Sequence, residues 1–226
     1  SATGDKQLKI SDGEDGSVVW LTGDSSGLLT ITGGEVIPGK SGGTNFTNSL
    51  LVGHSTTGTL STAERNTGVG IDALDSITSG DENTVVGYDA GSSLTSGGGA
   101  VFIGKGAGRN ITATLYNTSV GISSFQGIGQ NNNSSYNTAV GAYAMAVSNG
   151  AAYNVAIGKD AGRGITTGFR NVCIGYDTDN ITSGTGNVVI GAEAVVPSAT
   201  GDRQLVISGY DGTTTTTWIS GDSSGN

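Results

Sequence analysis

A five-residue phrase recurs along this chain and constrains its fold more than any other feature. Its clearest copy is Asn137-Thr138-Ala139-Val140-Gly141. The pattern Asn-x-x-Val/Ile-Gly returns at residues 66–70, 83–87, 117–121, 154–158, 171–175 and 187–191. Two weaker copies close on Val52-Gly53 and Ile103-Gly104. The closing glycines are residues 53, 70, 87, 104, 121, 141, 158, 175 and 191, so most steps are 17 residues, one is 20 and the last is 16. A fixed short period is the mark of a solenoid, in which one small unit is stacked on the next.

Further columns run beside the phrase. A large aliphatic follows most closing glycines by about seven residues: Leu60, Ile77, Leu94, Ile111, Ile128, Val147, Ile165 and Ile181. A small-residue column lies between: Ala73, Ala90, Ala107, Ser124, Ala144, Ala161, Thr178 and Ala194. Seventeen residues at about 3.3 Å each suffice for two short strands and two turns, and are too few for a βαβ unit. Each coil is therefore expected to carry a strand ending in Val/Ile-Gly, a bend, a second short strand and a Gly-rich return. The Val/Ile column is expected to face inward. The recurring Asn suits either a ladder of side-chain amides or a turn.

The repeat is bracketed by a duplicated unit. Residues 1–27 carry Ala2-Thr3-Gly4-Asp5-Lys6-Gln7-Leu8-Lys9-Ile10-Ser11, Trp20 and Gly23-Asp24-Ser25-Ser26-Gly27. Residues 197–226 repeat this as Ala199-Thr200-Gly201-Asp202-Arg203-Gln204-Leu205-Val206-Ile207-Ser208, Trp218 and Gly221-Asp222-Ser223-Ser224-Gly225. Each copy reads as a β-hairpin. The units are either caps that hide the ends of the solenoid or beads in a longer fibre. The expected organisation is a hairpin module over 1–27, a linker over 28–47, a repeat domain over 48–196 and a second hairpin module over 197–226. Leu28-Leu29-Thr30-Ile31 within the linker is a candidate strand.

The units Asn-Thr-x-Val-Gly-x-x-Ala and Asn-Val-x-Ile-Gly-x-x-Ala resemble the head repeats of YadA-type trimeric autotransporter adhesins. Similar repeats occur in tail-fibre and other virion proteins of tailed phages, and the flanking Gln-Leu-x-Ile-Ser and Trp-Ile-x-Gly-Asp-Ser-Ser-Gly segments are similar to phage structural proteins. The resemblance covers about residues 48–196. It implies an all-β, left-handed parallel β-roll of about nine 17-residue coils, flanked by small hairpin modules and assembled as a homotrimer. The 17-residue coil and the lengthened unit at Gly127–Asn133 depart from the adhesin pattern. A thin roll with two apolar columns, together with Phe102, Phe125 and Met145, also needs a partner to cover what it cannot bury.

Composition narrows the function. There are 41 glycines in 226 residues, about 18%, against roughly 7% in an average protein. Two prolines and no period of three argue against collagen. The net charge of −9, with singly spread basic residues, disfavours nucleic acid as partner. The single cysteine, Cys173, forms no intrachain disulfide. No apolar run approaches a membrane span.

Several constellations invite chemistry. Gly23-Asp24-Ser25-Ser26-Gly27 has the form of a serine-protease nucleophile loop, yet it occurs twice, and the only histidine, His54, sits within the first coil. It reads better as a turn. Ile103-Gly104-Lys105-Gly106-Ala107-Gly108 has the form of a dinucleotide loop, but it is one of the repeats. Asp72, Asp89, Asp160, Asp177 and Glu193 share one column, which is read as a solvent-facing stripe beside Lys105 and Lys159; the other readings are a cation-bridged ladder and a glycosidase pair. Tyr88, Tyr116, Tyr136, Tyr143, Tyr153, Tyr176 and Tyr210 could meet sugar faces or simply cover coil edges. No catalytic, cofactor-binding or metal-ligating residue is assigned.

The sequence thus points to a non-enzymatic structural or adhesive segment of a trimeric phage tail fibre or virion appendage that contributes to host attachment. Expected partners are two further copies, other fibre or virion proteins, and a host cell-surface glycan or protein receptor. A bacterial adhesin head at the cell surface and a carbohydrate-active tailspike enzyme are the alternatives.

Overall fold

The computed structural model describes the strand backbones Leu8–Asp12, Val18–Gly23 and Leu29–Ile31, then residues 39–54, 56–128 and 133–224. The chain divides into two compact units, Ser1–Pro38 and Gly39–Asn226. In the first, β1 (Leu8–Asp12), β2 (Val18–Gly23) and β3 (Leu29–Ile31) form an antiparallel sheet in that order. The third strand falls on the Leu-Leu-Thr-Ile stretch singled out above. The expected turns at 13–17 and 24–27 lie outside the described residues.

The second unit is an all-β solenoid of about nine coils, with no helix among the described residues. It opens with β4 (Gly39–Ser41), β5 (Phe46–Thr47), β6 (Leu50–Val52), β7 (Ala63–Glu64), β8 (Thr67–Val69) and β9 (Thr84–Val86). It continues through β10 (Ser96–Gly98), β11 (Val101–Ile103), β12 (Ala113–Leu115), β13 (Thr118–Val120), β14 (Thr138–Val140), β15 (Val155–Ile157), β16 (Val172–Ile174) and β17 (Val188–Ile190). It ends with β18 (Leu205–Tyr210) and β19 (Thr215–Gly221). Every copy of the phrase is thus one strand. The strands β6, β8, β9, β11, β13, β14, β15, β16, β17 and β18 pair in parallel, each in register with the next phrase, as in Val140↔Ile157 and Ile157↔Ile174. Antiparallel β4 and β19 complete the 12-stranded sheet.

Two devices enforce the stacking. The first is glycine. The closing glycines have φ between 111° and 137°, a region that L side chains rarely adopt. A Cβ on Gly141 would also stand 2.3 Å from the Gly158 carbonyl oxygen in the next coil. Coils can approach at the inter-strand spacing only if this column lacks side chains.

The second device is asparagine, and of the two readings offered above the amide ladder is the one observed. Asn154 donates its backbone N–H and its Nδ2 to Asn137 Oδ1, both at 3.0 Å. Its own Oδ1 accepts the same two groups from Asn171, at 2.9 and 3.0 Å. Nδ2 also reaches the Gly168 carbonyl at 2.9 Å. The ladder asparagines are buried, so these bonds satisfy polar groups that water cannot reach. Ala100 interrupts the ladder. Its backbone N–H still donates to Asn83 Oδ1 at 3.0 Å, but Asn117 turns to Thr114 Oγ1 and the Ser134 carbonyl.

The direction of the phrase differs from expectation. In each strand the middle residue is inside: Leu51, Val85, Phe102, Ser119, Ala139, Ala156, Cys173 and Val189 are all fully buried. The Val/Ile column before glycine points outward. Strand alternation requires this once the buried Asn is placed, because Asn and the middle residue lie two apart on one face.

The expected second strand is also largely replaced. Positions two residues after the closing glycine have φ of 50–65° from Asp72 through Asp177. Leu74, Gly91, Gly108, Phe125, Met145 and Gly162, two further on, are left-handed as well. Alternating left-handed residues make a run of turns, which an extended strand cannot contain. What remains of a second ladder is β5–β7, β10–β12 and single bridges such as Ser135↔Ala152↔Phe169.

Large and small residues alternate in filling the interior of several coils. Gly68 faces Leu74 and Phe102 faces Gly108, while Ser119 and Phe125, and Ala139 and Met145, are buried at the equivalent positions of their coils. A Cβ on Gly108 would lie 2.4 Å from the Phe102 ring. The Ala column and Ile77, Leu94, Ile111, Ile165 and Ile181 are buried as read from the period. Leu60, Ile128 and Val147 are exceptions: Ile128 is 42% exposed, and Leu60 and Val147 are half-buried. The 20-residue step shifts the register, so that the Ile128 amide meets the Ser148 carbonyl at 3.1 Å and buried Ser148 pairs with Ser134 at 2.8 Å. Residues 129–132 of the lengthened unit lie outside the described residues.

Asn154→Ala should lower stability by about 1–3 kcal/mol, the cost of leaving buried polar groups unpaired. Urea unfolding measures this. A loss under about 0.5 kcal/mol, the scale of an ordinary surface change, would mean that the ladder is dispensable.

Candidate functional site

The outer face of the long sheet is the largest continuous chemical feature of the solenoid. Its first column, one residue after the ladder Asn, reads Thr67, Thr84, Val101, Thr118, Thr138, Val155, Val172 and Val188. Its second is Val69, Val86, Ile103, Val120, Val140, Ile157, Ile174 and Ile190. None of the second column is buried, and Ile103 and Ile157 are 39% and 40% exposed. Ile71, Tyr88, Ile122 and Tyr176, just past the closing glycines, extend the apolar strip and are more exposed still. With rungs about 4.8 Å apart and columns about 7 Å apart, the strip measures roughly 40 by 10 Å.

The acidic column has a backbone explanation. Asp72, Asp89, Asp160, Asp177 and Glu193 all have φ between 51° and 60°. Asp and Asn tolerate this left-handed region better than most L residues, and Gly better still; Gly106 takes the same place in its coil with φ 65°. The carboxylates are also partly neutralised. Asp89 meets Arg109 at 2.7 Å, while the mostly buried Asp160 is held by Lys159 and by Arg163 at 3.4 Å. The column is therefore half-buried rather than openly solvent-facing, with Asp160 buried, and two of its five carboxylates are ion-paired. Among the described residues no group of three or more His, Cys, Asp or Glu side chains is placed to hold one metal ion. Near the end of the column Asp177, Asp179, Asn180 and Glu193 line an open cavity of about 540 Å³. There Asp179 Oδ1 is occupied by the Gly164 amide at 2.8 Å.

Three tyrosines form a second stack. Tyr116, Tyr136 and Tyr153 each precede a ladder Asn and have φ of 53–61°. Tyr136 and Tyr153 are parallel with centroids 4.9 Å apart, Tyr116 lies 5.8 Å from Tyr136, and Arg170 stands 5.4 Å over Tyr153. The coil spacing matches the aromatic stacking distance, so the rings cover one another and one coil edge. Tyr143 and Tyr176 sit elsewhere, under Arg163 and Lys159.

The remaining candidates are structural. His54 is buried, with Nε2 2.7 Å from the Ala73 carbonyl and Nδ1 2.8 Å from Thr56 Oγ1. It ties the first coil to the second. The glycines of Gly104-Lys105-Gly106-Ala107-Gly108 serve the closing column, a left-handed turn and the Phe102 ring. In the second Gly-Asp-Ser-Ser-Gly copy, Asp222 Oδ1 accepts the Ser224 amide at 2.8 Å, a side-chain turn. Residues 24–27 of the first copy lie outside the described residues. Burial, helped by Asp179, pushes the Cys173 thiol up to about 12.

Sequence reasoning missed the direction of the Val/Ile column and the stacking of the three tyrosines. The interchange of Asp with Gly at one column position was the legible sign of a left-handed turn. No protein-family model, no curated protein and no solved structure matches this chain.

At pH 8 native Cys173 should react with iodoacetamide on the order of a thousandfold more slowly than in the urea-unfolded chain, because so little thiolate is present. Equal rates would place the thiol outside the packed interior.

Proposed function

We propose that this chain is a non-enzymatic structural segment of a homotrimeric fibre, of the kind found in phage tail fibres and other virion appendages, where it spaces or presents a host-contacting surface. The outer face of the sheet carries this reading. An apolar strip of roughly 400 Å² matches the largest patch that a typical monomeric protein exposes, and such patches are often functional. Because the same two columns recur on every rung, the strip suits a second copy running alongside in the same register. A rotation axis parallel to the solenoid lets three such strips converge and close the assembly. Three strips together would bury roughly 1,200 Å², shared over three pairwise contacts, so the strip would be the apolar centre of a wider interface. The left hand of the coil and the threefold number follow from the resemblance to adhesin head repeats.

The acidic column favours the same reading over the tailspike enzyme. Its carboxylates recur with the backbone turn and serve ion pairs. A host glycan or protein receptor would meet the remaining outward surfaces, and other virion proteins the ends.

Native mass tests the proposal. The chain should run at three times its 22.4 kDa mass. Val140→Asp and Ile157→Asp should reduce this to one chain while leaving the circular-dichroism spectrum unchanged, since both side chains point out of the coil. Ala139→Asp, which buries a charge inside, should unfold the coil stack. A wild-type mass of one chain at micromolar concentration would falsify the homotrimer.

A further inference from the structure

The duplicated flanking unit shows what its first copy is built to receive. In the second copy β18 has two neighbours. One edge takes β19 as an antiparallel hairpin partner, and the other takes the last rung β17 in parallel, with Val188↔Leu205, Val189↔Val206 and Ile190↔Ile207. The residues just ahead of β18 bind the same terminal coil. The Ala199 carbonyl accepts the Thr182 amide at 2.8 Å, and Asp202 Oδ1 accepts the Thr185 amide at 2.7 Å. The Gly201 carbonyl accepts Asn187 Nδ2 at 2.9 Å.

Gln204 ends the amide ladder. Its backbone N–H and Nε2 donate to Asn187 Oδ1 at 2.8 and 3.1 Å, as another asparagine would. Its Oε1 then turns back to accept the Ser198 amide at 2.9 Å. The longer side chain therefore satisfies its own oxygen locally and passes no acceptor on to a further coil.

Each of these residues has a counterpart in the first copy. Ser198-Ala199-Thr200-Gly201-Asp202-Arg203-Gln204-Leu205 matches Ser1-Ala2-Thr3-Gly4-Asp5-Lys6-Gln7-Leu8, with only Arg and Lys exchanged. The hairpins match in register as well. Leu8↔Gly23 and Ile10↔Leu21 correspond to Leu205↔Gly221 and Ile207↔Ile219. Both carry a bulge at the same step, between Ile10 and Ser11 and between Ile207 and Ser208, which leaves Trp20 and Trp218 as the extra residues. One element is missing from the first copy. Among the described residues β1 is an edge strand, paired with β2 on one side only.

We propose that the sheet of β1, β2 and β3 is a docking module for the terminal coil of a β-solenoid, with the free edge of β1 taking a parallel Asn-x-x-Val/Ile-Gly rung. The occupant is a coil of the Asn187–Gly191 type lying directly ahead of the module in the same polypeptide. The register places such a rung's three strand residues opposite Leu8, Lys9 and Ile10. Amides alternate along these strands: Val188 donates forward to the Gln204 carbonyl and Gly191 backward to the Ile174 carbonyl, both at 2.8 Å. By the same alternation the Lys9 and Ser11 amides face the free edge. The inference goes beyond the fibre reading and is intrachain, so it holds or fails whatever the number of copies assembled.

The test is a full-length chain carrying residues 39–197 a second time, joined directly ahead of residue 1, and followed by hydrogen exchange. The Lys9 and Ser11 amides should exchange at least tenfold more slowly than in the original chain, in line with ordinary strand protection. Unchanged exchange at both amides, with the added coils themselves protected, would overturn the proposal. A chimera covers the case in which the added coils fail to fold. In it residues 198–225 of the original chain are replaced by residues 1–27. It should keep the parent Tm, and Gln7→Ala in its C-terminal copy should lower Tm by as much as Gln204→Ala lowers it in the parent. A chimera that melts like a chain ending at Val196 would refute equivalence of the two modules and the proposal with it.

Discussion

Everything in the solenoid depends on one constraint: successive coils must lie at strand-to-strand distance along their whole circuit. Backbone hydrogen bonds between coils set that distance at about 4.8 Å, and each column of side chains must then tolerate an identical neighbour directly above and below. Glycine does so by having no side chain where φ is positive and the next carbonyl is in contact. Asparagine does so by being donor and acceptor at once, so that a column of identical residues satisfies itself. Aspartate at the left-handed turn tolerates stacking less well, and there cations intervene, as Lys159 and Arg163 do around Asp160.

The constraint also separates the two faces of the strand. The buried face carries Asn and one middle residue, and in several coils the middle residue and the residue four past glycine vary in opposite senses. Phe102 with Gly108 and Ser119 with Phe125 fill similar space in successive coils. The outward face varies little, remaining Thr or Val in one column and Val or Ile in the other. A closed coil has no need of β-branched uniformity on its solvent side. That uniformity is the observation on which the proposed assembly face rests.

The ends obey the same logic. An amide ladder must stop without stranding a donor or acceptor, and Gln204 stops it by folding its own carboxamide back on Ser198. The open edge of a parallel sheet is a liability. Here β19 lies across it, and β4 does the same at the first coil. The terminal hairpin is therefore continuous with the stack it closes.

The repeat length, the strand phrase, the buried Ala column and most of the aliphatic column were legible in the sequence by itself, because stacking imposes a period and the period is visible in residue type. The same holds for the duplicated hairpin and for the strand read within the linker, although only the structure shows that strand pairing with β2. Three things required the tertiary structure. The direction of the Val/Ile column was decided by where the Asn side chain is buried, since strand alternation assigns the faces only after one member is placed. The run of turns replaced the expected second strand because left-handed conformation at Asp72, Leu74 and their equivalents is a property of the backbone, and Tyr143 or Met145 adopt it without any sequence mark. The positions of Ile128 and Ser148 were decided by the 20-residue step, whose effect on register depends on which side of the coil absorbs the extra residues. Sequence thus determined that this chain stacks; the three-dimensional packing decided which of its apolar columns remains outside.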